Sequence, residues 1–373
     1  MPEIKNLKKA AQRIKEAVLN KERIILSGDA DLDGVGSVVM LKEAIKNLGG
    51  EVAMVFFPDR ENDGYGINEK ALNEFKHLAP ALFISLDFGI GNHKEVDIGN
   101  KMGFDFIIID HHQPIGKVPN ASVVVDPKQE GDKSAFKELA NVGLTFKLIE
   151  QMIELSDSLR NSFLELVALA TIADMMPQIE DNKEFIDFGL DSMRNTFRPG
   201  LKVFLDILDK ENAVSRIISA LNACEKKECV NETYLLLTSS SEKEARVLAE
   251  RLIEKAHQRQ FRVKEIIREV EARIESKSEP LIFEGDPLWP LISAGTVASV
   301  ICQKYGKPVF IFKKGEKESS GSVRVPRGIN SVNAMESCSS LLITYGGHPP
   351  ASGFRLRNDN LEKFKTGLIK YFK

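Results

Sequence analysis

The chain has 373 residues, 43% of them apolar and 28% charged, a composition typical of folded globular proteins. Its length predicts two domains rather than one. No apolar stretch reaches the roughly 18 residues that cross a bilayer, the first residues lack the apolar core of a secretory signal, and the four cysteines form no CxxC pair. These features exclude a membrane span and a disulfide framework, and they predict a cytoplasmic protein with reduced thiols.

Charge is distributed unevenly along the chain. Residues 287–373 contain 13 Lys and Arg against 5 Asp and Glu, a balance of +8, so the preceding residues carry −11 to give the total of −3. An acidic first part fits a metal site, and a basic last part fits a polyanionic substrate. The alternative interpretation is that charge simply varies along the chain without a functional cause.

In chain order, the first elements are a helix and then alternating strands and helices. The apolar spacing of residues 5–20 predicts a surface helix. Residues 41–48 predict a second helix, which ends at Gly49, and residues 52–57 predict a strand. Alternation of this kind over residues 22–125 predicts an α/β domain with a mostly parallel sheet flanked by helices.

Acidic or histidine residues follow four apolar runs in the first half of the chain. They are Asp29, Asp31 and Asp33 after residues 23–26, Asp87 after residues 82–86, Asp110, His111 and His112 after residues 106–109, and Asp174 after residues 168–173. The first three runs predict buried strands, and the fourth predicts a strand or a helix. Ligands of open α/β sheets bind beyond the carboxyl ends of parallel strands. Oxygen-rich sites with one or two imidazoles suit Mn²⁺ or Mg²⁺ better than zinc, so a metal-dependent enzyme acting on phosphate esters is predicted.

Three carboxylates alternate in the first cluster. In an extended segment, side chains two residues apart point the same way, so Asp29, Asp31 and Asp33 are expected to face one ion. The next helix is expected to start at Ser37. An EF-hand-like calcium loop is disfavoured because its twelfth position is Met40 rather than Glu. A solvated acidic turn is the other alternative.

The third cluster contains two adjacent histidines. His111 and His112 cannot easily face the same metal ion, so one is expected to ligate it while the other contacts phosphate or orients a carboxylate. A purely structural role for one of the two is the alternative.

The second half of the chain contains a long helical segment. Residues 133–208 are predicted to be mostly helical, and residues 241–276, which contain no Gly or Pro, predict one long connecting helix, with two shorter helices as the alternative. The following residues predict a helix over 296–303, strands over 309–312, 321–325 and 354–356, and a glycine-rich turn from Gly346. The predicted division is a first domain over 1–210, a linker over 211–279 that includes the long helix at about 242–276, and a smaller α/β domain over 280–373.

Several segments together resemble a known superfamily. They are residues 28–34 (GDADLDG), 58–60 (PDR), 64–68 (GYGIN), 86–90 (LDFGI), 110–112 (DHH), 171–174 (TIAD) and 198–200 (RPG). In type and order they resemble the motifs of the DHH phosphoesterase superfamily and, within it, the RecJ-like single-strand-specific exonucleases. Residues 321–324 (GSVR) and 346–354 (GGHPPASGF) resemble the DHHA1 substrate-binding domain. The resemblance covers about residues 23–357.

The resemblance implies metals on the first domain, nucleic-acid contacts on the second and a cleft between them. One or two Mn²⁺ or Mg²⁺ ions are implied to bind Asp31, Asp33, Asp87, Asp110, His111, His112 and Asp174. Catalytic roles are implied for Asp29, His111 and His112. Substrate contacts are implied for Arg60, Tyr65, Asn222, Ser322, Arg324, Gly346, Gly347 and His348.

The sequence departs from the RecJ-like pattern at several positions. Ser27 stands where small-molecule DHH phosphatases carry a metal-binding histidine, which favours the RecJ-like branch. Ala220 and Lys226 replace arginines of an R-x-N-A-x-G-R segment, and Pro290 lies in a segment that is W-H-P-G in RecJ-like proteins. These changes bear on 5′-end recognition, strand polarity and rate. Because the sequence ends after the DHHA1-like segment, the resemblance implies a short form that lacks the OB-type domain of large bacterial RecJ enzymes and is similar to archaeal RecJ-like proteins.

The activity that the resemblance implies is a metal-dependent 5′→3′ exonuclease that hydrolyses single-stranded DNA, or RNA, to mononucleotides. One alternative is a phosphodiesterase for short oligonucleotides or cyclic dinucleotides. Another is a non-catalytic replication or repair scaffold similar to Cdc45, which the complete set of metal ligands disfavours. The implied partners are single-stranded nucleic acid and replication or repair proteins, with no membrane.

Overall fold

The computed structural model describes residues 3–59, 65–114, 116–209, 211–223, 231–275 and 278–373. The chain divides into two compact units, residues 1–256 and residues 257–373, and each has its own sheet and its own apolar cores. No helix within the described ranges is both long enough and apolar enough to cross a bilayer.

A five-stranded parallel sheet forms the centre of the first unit. Its strands are β1 (Arg23–Gly28), β2 (Met54–Phe56), β3 (Ala81–Leu86), β4 (Phe104–Ile109) and β5 (Val123–Val125). Their order is β2-β1-β3-β4-β5, and every neighbouring pair is parallel. The central strand β3 is buried along its whole length, as expected for a parallel sheet that is covered on both faces. The predicted α/β class with a mostly parallel sheet is therefore confirmed.

Helices cover both faces of this sheet. The helices that lie wholly in the first unit are α1 (Leu7–Leu19), α2 (Leu32–Asn47), α3 (Glu69–Phe75), α4 (His93–Met102), α5 (Asn141–Met152), α6 (Asp157–Ala173), α7 (Glu180–Ser192), α8 (Pro199–Ile207), α9 (Ala213–Leu221) and α10 (Glu232–Thr238). One face carries a large core with α1, α2, α5 and α6, and the other carries a smaller, phenylalanine-rich core with α3 and α4. The run before Asp174 is the end of α6, so the helix alternative for that run is confirmed.

One helix continues from the first unit into the second. This helix, α11 (Glu242–Ile274), has 33 residues and is not divided into two. Ala245 and Leu252 belong to the large core of the first unit, whereas Ile266 and Val270 belong to a core of the second. The segment lacks Gly and Pro, so its backbone hydrogen bonding is uninterrupted.

The second unit contains a mixed five-stranded sheet. Its strands are β6 (Ile282–Asp286), β7 (Val309–Lys314), β8 (Glu318–Arg324), β9 (Leu342–His348) and β10 (Ala351–Arg357), and its further helices are α12 (Leu291–Tyr305), α13 (Ser331–Glu336) and α14 (Leu361–Tyr371). The strand order is β6-β7-β8-β10-β9, with only β6 and β7 parallel. α13 and α14 pack on one face, while α12 and the end of α11 pack on the other. The predicted smaller C-terminal α/β domain is confirmed.

The glycine-rich turn predicted from Gly346 is wrong. Residues 346–348 form the end of β9, which pairs with β10, and the turn between these strands is at residues 349–350. Adjacent glycines usually mark a turn, but here close backbone packing requires one of them. A Cβ on Gly347 would lie 2.6 Å from the carbonyl oxygen of Ala351, and the residue has a left-handed φ of +135°.

The substitution Gly189→Ala is expected to destabilise the first unit. A Cβ at this position would lie 2.1 Å from the carbonyl oxygen of Leu164 and 2.6 Å from the Cβ of Ala168, so α7 would have to move away from α6. Overpacking of this kind lowers the free energy of unfolding by about 1–3 kcal/mol, which urea unfolding followed by circular dichroism measures. Gly91→Ala is the matched control, because no atom lies within 4 Å of a Cβ placed there. Equal stability of the two variants would contradict this account of the packing.

Candidate metal centre

Four chain segments bring acidic and histidine side chains together at the carboxyl ends of β1, β3 and β4 and the end of α6. The acidic centre consists of Asp29, Asp31, Asp33, Asp87, Asp110, His111, His112 and Asp174. Parallel strands end at the same edge of a sheet, so polar residues that follow them meet there. Asp174 follows α6 as its C-cap, and 26% of its side chain is exposed.

The helix α2 begins earlier than the sequence predicts. Asp31 is its N-cap, and Asp31 Oδ1 accepts hydrogen bonds from the N–H groups of Asp33 and Gly34, both at 3.2 Å. The chain therefore turns helical directly after Asp31, and Ser37 lies inside the helix rather than at its start. The prediction of an extended segment through Asp33 is wrong for this reason.

The ligand-capable atoms of the acidic centre form three groups. In each group the atoms lie within 4.8 Å of one another. The groups are Asp29, Asp31 and Asp87; Asp33, Asp87 and His111; and Asp87, Asp110 and His112. The three alternating carboxylates therefore do not share one group, contrary to the expectation that they face one ion. Asp87 belongs to all three groups and is the centre of the arrangement.

Asp33 is held by the amino terminus of α5. Asp33 Oδ2 accepts from the N–H of Asn141 at 2.8 Å, and Oδ1 accepts from the N–H of Val142 at 2.7 Å. The positive end of a helix dipole favours a carboxylate at this place. Burial nevertheless raises the pKa of Asp33 well above its usual value, and the charges of Asp174 and Asp31 raise it further. A cation beside this side chain would offset both of these unfavourable effects on its charged form.

Asn141 joins three of the segments that form the acidic centre. With its amide oxygen and nitrogen assigned from their neighbours, Nδ2 donates to the carbonyl of Ile109, and Oδ1 accepts from the hydroxyl of Ser37 and shares the N–H of Asp87 with Ile109, each at 3.0 Å. It is completely buried. Sequence reasoning missed this residue, since its one signal is a polar side chain at the start of the apolar segment 142–149.

Asp87 has a left-handed backbone conformation, with φ +68°. Few residues other than glycine adopt it, and aspartate is among those that do. The N–H of Asp87 donates to the carbonyl of Ile109 at 3.0 Å, and the hydroxyl of Tyr65 donates to the carbonyl of Asp87 at 3.0 Å. Burial raises the pKa of Asp87 well above its usual value, and the charge of Asp33 adds to this shift.

The second nitrogen of His111 faces three carboxylate oxygens. Nδ1 lies 2.9 Å from the carbonyl oxygen of Leu139, which can only accept, so Nδ1 carries the proton and Nε2 carries a lone pair. Nε2 lies 3.1 Å from an oxygen of Asp87 and 3.6 Å from oxygens of Asp33 and Asp174. Burial lowers the pKa of His111, which favours the neutral form of the ring. A lone pair among carboxylate oxygens is repulsive, and a shared cation removes that repulsion.

Asp110 and His112 form a tight ion pair beside this arrangement. Asp110 Oδ1 accepts from the N–H of His111 at 2.8 Å and from Nδ1 of His112 at 2.8 Å, and Oδ2 accepts from the N–H of Ile90 at 2.9 Å. Burial opposes the ionised form of Asp110, but the charge of His112 and these hydrogen bonds outweigh it and lower the pKa. Burial likewise lowers the pKa of His112, but Asp110 raises it to about 9. The two histidines therefore have different surroundings.

The residues of the acidic centre fit a divalent cation. Carboxylate oxygens predominate over imidazole nitrogens, the ligand set that Mn²⁺ and Mg²⁺ prefer to zinc. Asp33 and Asp87 are buried with raised pKa values, and the lone pair of His111 lies among carboxylate oxygens. All three features are unfavourable until a positive charge is present.

A further carboxylate behind Asp110 was also missed. Asp126 directly follows β5 and is completely buried. Its Oδ1 accepts from the N–H of Lys128 at 2.7 Å, whereas Oδ2 has no hydrogen-bond partner within the described part of the chain. Burial, with a contribution from the charge of Asp110, raises the pKa of Asp126 to about 8. An acidic residue after a short apolar run was the available signal, since the same pattern marks the other clusters.

Residues from the middle of the chain support α2. Asn222, predicted to contact substrate, accepts at Oδ1 from the N–H of Leu32 at 3.0 Å. Arg198, from the RPG segment, makes a bidentate pair with Glu43 of α2 at 2.9 and 2.8 Å.

The predicted substrate residue Arg60 and the altered position Lys226 lie outside the described residues.

Predicted substrate residues of the second unit lie on neighbouring strands. The polar strip consists of Ser322, Arg324, Gly346 and His348. Ser322 and Gly346 both lie opposite Gly353 of β10, and the other two residues both lie opposite Ala351. Directly paired residues share a face of the sheet, so the strip lies on one face, and Gly347 belongs to the other.

The polar strip continues a face that α12 covers elsewhere. Val309 and Ile311 of β7 pack against α12 on this face, and they pair in the sheet with Arg324 and Ser322. A Cβ on Gly295 of α12 would lie 3.3 Å from Nη2 of Arg324. The face therefore changes from apolar to polar between β7 and β8.

The altered segment at Pro290 anchors α12. Trp289 is buried, its Nε1 donates to Glu269 of α11 at 2.7 Å, and the guanidinium of Arg273 lies 4.7 Å from its ring centre. Pro290 is the N-cap of α12. These contacts fix the start of α12 against α11.

Two family models match the chain. Residues 23–171 match the N-terminal domain of the DHH family, and residues 281–373 match the DHHA1 domain. The single-stranded-DNA-specific exonuclease RecJ of Bacillus subtilis (strain 168) is 32% identical over 378 residues, which are 98% of this chain and 48% of that protein. The chain thus spans about half the length of that relative.

Two solved structures are similar along nearly the whole chain. A crystal structure of exonuclease RecJ bound to manganese has a TM-score of 0.80 at 27% identity and covers 99% of this chain and 95% of its own. A crystal structure of RecJ from Thermus thermophilus in complex with Mn²⁺ has a TM-score of 0.82 at 26% identity and covers 99% of this chain and 55% of its own.

The metal-free protein is expected to lose stability as the pH rises from 6.5 to 9. The folded-state pKa of His112 is about 9 against 6.5 ordinarily, and that of Asp126 is about 8 against 3.8. A raised pKa stabilises the fold below the unfolded-state pKa, and this contribution disappears as the pH passes the folded-state value. Melting temperatures measured in a chelator at intervals of pH test this expectation.

Saturating Mn²⁺ should offset that loss, because metal binding displaces protons and strengthens with pH. His112→Gln serves as the comparison and should show a shallower decline without metal. A melting temperature that stays constant across this range in metal-free wild type would contradict the assignment of these protons.

Proposed function

We propose that this chain, in which residues 23–171 match the N-terminal domain of the DHH family and residues 281–373 match the DHHA1 domain, is a metal-dependent exonuclease acting on single-stranded DNA. The B. subtilis relative is named a single-stranded-DNA-specific exonuclease, and both similar structures contain manganese. The finer proposal is hydrolysis in the 5′→3′ direction to mononucleotides with Mn²⁺ or Mg²⁺.

The surroundings of His111 carry this proposal. A neutral imidazole whose lone pair lies within 3.6 Å of three carboxylate oxygens is unfavourable on its own and is favourable around a divalent ion. Fixed donors from the backbone hold these ligands in place, so the arrangement exists before substrate arrives.

The side chains of the acidic centre have different proposed roles in phosphodiester hydrolysis. Bound Mn²⁺ or Mg²⁺ supplies Lewis acidity and lowers the pKa of water. One ion would be held by the group that contains Asp33, Asp87 and His111, and a second by the group that contains Asp29, Asp31 and Asp87. Asp174 completes the first group. His112, held by Asp110, supplies positive charge toward a phosphate oxygen.

The second unit is assigned the binding of the nucleic-acid backbone. Arg324 and His348 supply donors for phosphate oxygens, and Ser322 and Gly346 beside them allow close approach of the strand. Charge rather than base stacking is then the main source of affinity, since the chain has one Trp and five Tyr. The proposed division is a catalytic part over residues 1–210, a connection over 211–279, of which residues up to 256 pack in the first unit, and a substrate-binding part over 280–373.

The proposed biological setting is DNA repair or replication. Those processes produce single-stranded ends that such an exonuclease would degrade, so replication or repair proteins are the proposed protein partners. A stable complex without turnover would instead favour a scaffold.

Asp87→Asn is expected to abolish shortening of single-stranded DNA. The substitution removes a charge shared by all three ligand groups, so the loss should exceed the about 10- to 100-fold typical of outer-shell substitutions. Time courses on 5′-labelled and 3′-labelled strands with Mn²⁺ measure the rate and the direction, and matched RNA strands measure selectivity. Asp97→Asn, at an exposed position of α4, is the matched control and should retain wild-type rates.

The same assay separates the alternatives. A strong preference for oligomers of two to five nucleotides would favour a short-oligonucleotide phosphodiesterase. Wild-type protein that binds Mn²⁺ but shortens no strand would reject the exonuclease.

Arg324→Ala is expected to raise KM for single-stranded DNA more than it lowers kcat. One lost phosphate contact should also reduce the slope of log affinity against log salt by about 0.7. Fluorescence anisotropy of a labelled strand at several salt concentrations measures this slope. The control is Lys370→Ala on α14, which packs on the opposite face of the sheet. An equal salt slope for both variants would contradict the assignment of the polar strip.

A further inference from the structure

Two asparagines contact the backbone between Asp29 and Asp33. Nδ2 of Asn231 donates to the carbonyl of Ala30 at 2.8 Å. On the other side, Oδ1 of Asn222 accepts from the N–H of Leu32 at 3.0 Å. Both asparagines lie about 200 residues from this loop in the chain, so their contacts are tertiary and not part of the loop's own turn.

The position of Asn231 is itself fixed. The residue is buried, and its Oδ1 caps α10 by accepting from the N–H groups of Thr233 at 2.8 Å and Tyr234 at 3.3 Å. The hydroxyl of Thr233 donates to the carbonyl of Leu221 at 2.6 Å, which joins α10 to the end of α9. The side-chain amide of Asn231 thus caps α10 with its oxygen and donates to the loop carbonyl of Ala30 with its nitrogen.

We propose that Asn231 is a positioning residue for metal binding. The peptide of Ala30 lies between Asp29 and Asp31, whose ligand atoms lie within 4.8 Å of each other and of Asp87. Rotation of this peptide moves the Cα–Cβ directions of both aspartates. The hydrogen bond from Asn231 resists that rotation and keeps the two carboxylates together despite their repulsion. This inference rests on the metal dependence in the proposed function.

The substitution Asn231→Asp tests the donor alone. Aspartate keeps the oxygen that caps α10, but it replaces the Nδ2 donor with an oxygen that repels the carbonyl of Ala30. Asn231→Ser removes the Nδ2 donor without adding charge, and its shorter side chain also retains a capping oxygen. Titration of the metal-free protein with Mn²⁺, followed by the electron paramagnetic resonance signal of free Mn²⁺, should show affinity about 10- to 100-fold weaker in both variants.

The matched control is another helix-capping asparagine of the same chain. Oδ1 of Asn330 caps α13 by accepting from the N–H groups of Val332 at 2.9 Å and Asn333 at 3.2 Å. Asn330→Asp retains this capping oxygen in the second unit. It should leave the affinity for Mn²⁺ at the wild-type value.

A structural role and a positioning role give different results. The melting temperature of the metal-free Asn231 variants should stay close to that of wild type while the affinity for Mn²⁺ falls. Unchanged affinity in both variants would overturn the proposal. So would failure of both to fold, or an equal loss of affinity in Asn330→Asp.

The outcome is independent of nuclease activity. If wild type binds Mn²⁺ and the Asn231 variants bind it weakly, the inference holds even when no strand is shortened. If wild type shortens strands and the variants bind Mn²⁺ as tightly as wild type, the proposed function holds and the inference fails.

Discussion

The structure of the first unit depends on negative charge that is buried at the ends of its central strands. His111 turns a lone pair toward carboxylates, and Asp33 and Asp87 have raised pKa values because the protein removes them from water. Each of these groups would be better solvated in an unfolded chain. The fold can hold them because backbone donors, the start of α5 and the ion pair of Asp110 with His112 restrict their movement. Cation binding and folding free energy are thereby coupled.

The general architecture could be predicted from the sequence because local and tertiary signals agree there. Apolar runs ending in polar residues indicated β1, β3 and β4, and the same pattern located the acidic centre. The resemblance to a known superfamily extended the prediction to the polar strip. The location of the acidic centre could be predicted because the strands are parallel. The carboxyl ends of parallel strands meet at the same edge of the sheet.

Other features depend on contacts that no local pattern contains. The cap at Asp31 starts α2 early and places Asp33 beside the start of α5. Predicting this contact from the sequence would have required the position of Asn141 in the fold. Gly346 and Gly347 resemble a turn, but pairing with β10 makes them part of a strand. Asn231 resembles an ordinary helix-capping residue, and only the hydrogen bond from its Nδ2 to the carbonyl of Ala30 indicates a second role. In these cases the outcome depends on partners that a short window of sequence does not contain.

The left-handed backbone of Asp87 limits how this position can change during evolution. Asparagine and glycine also accept a positive φ, whereas a branched side chain would be strained. An Asp-to-Asn change there would preserve the turn after β3 and remove the charge that all three ligand groups share. A protein lineage could thus lose metal-dependent catalysis through a single codon change while its fold is preserved. Natural selection could then retain that fold for a structural, non-catalytic role.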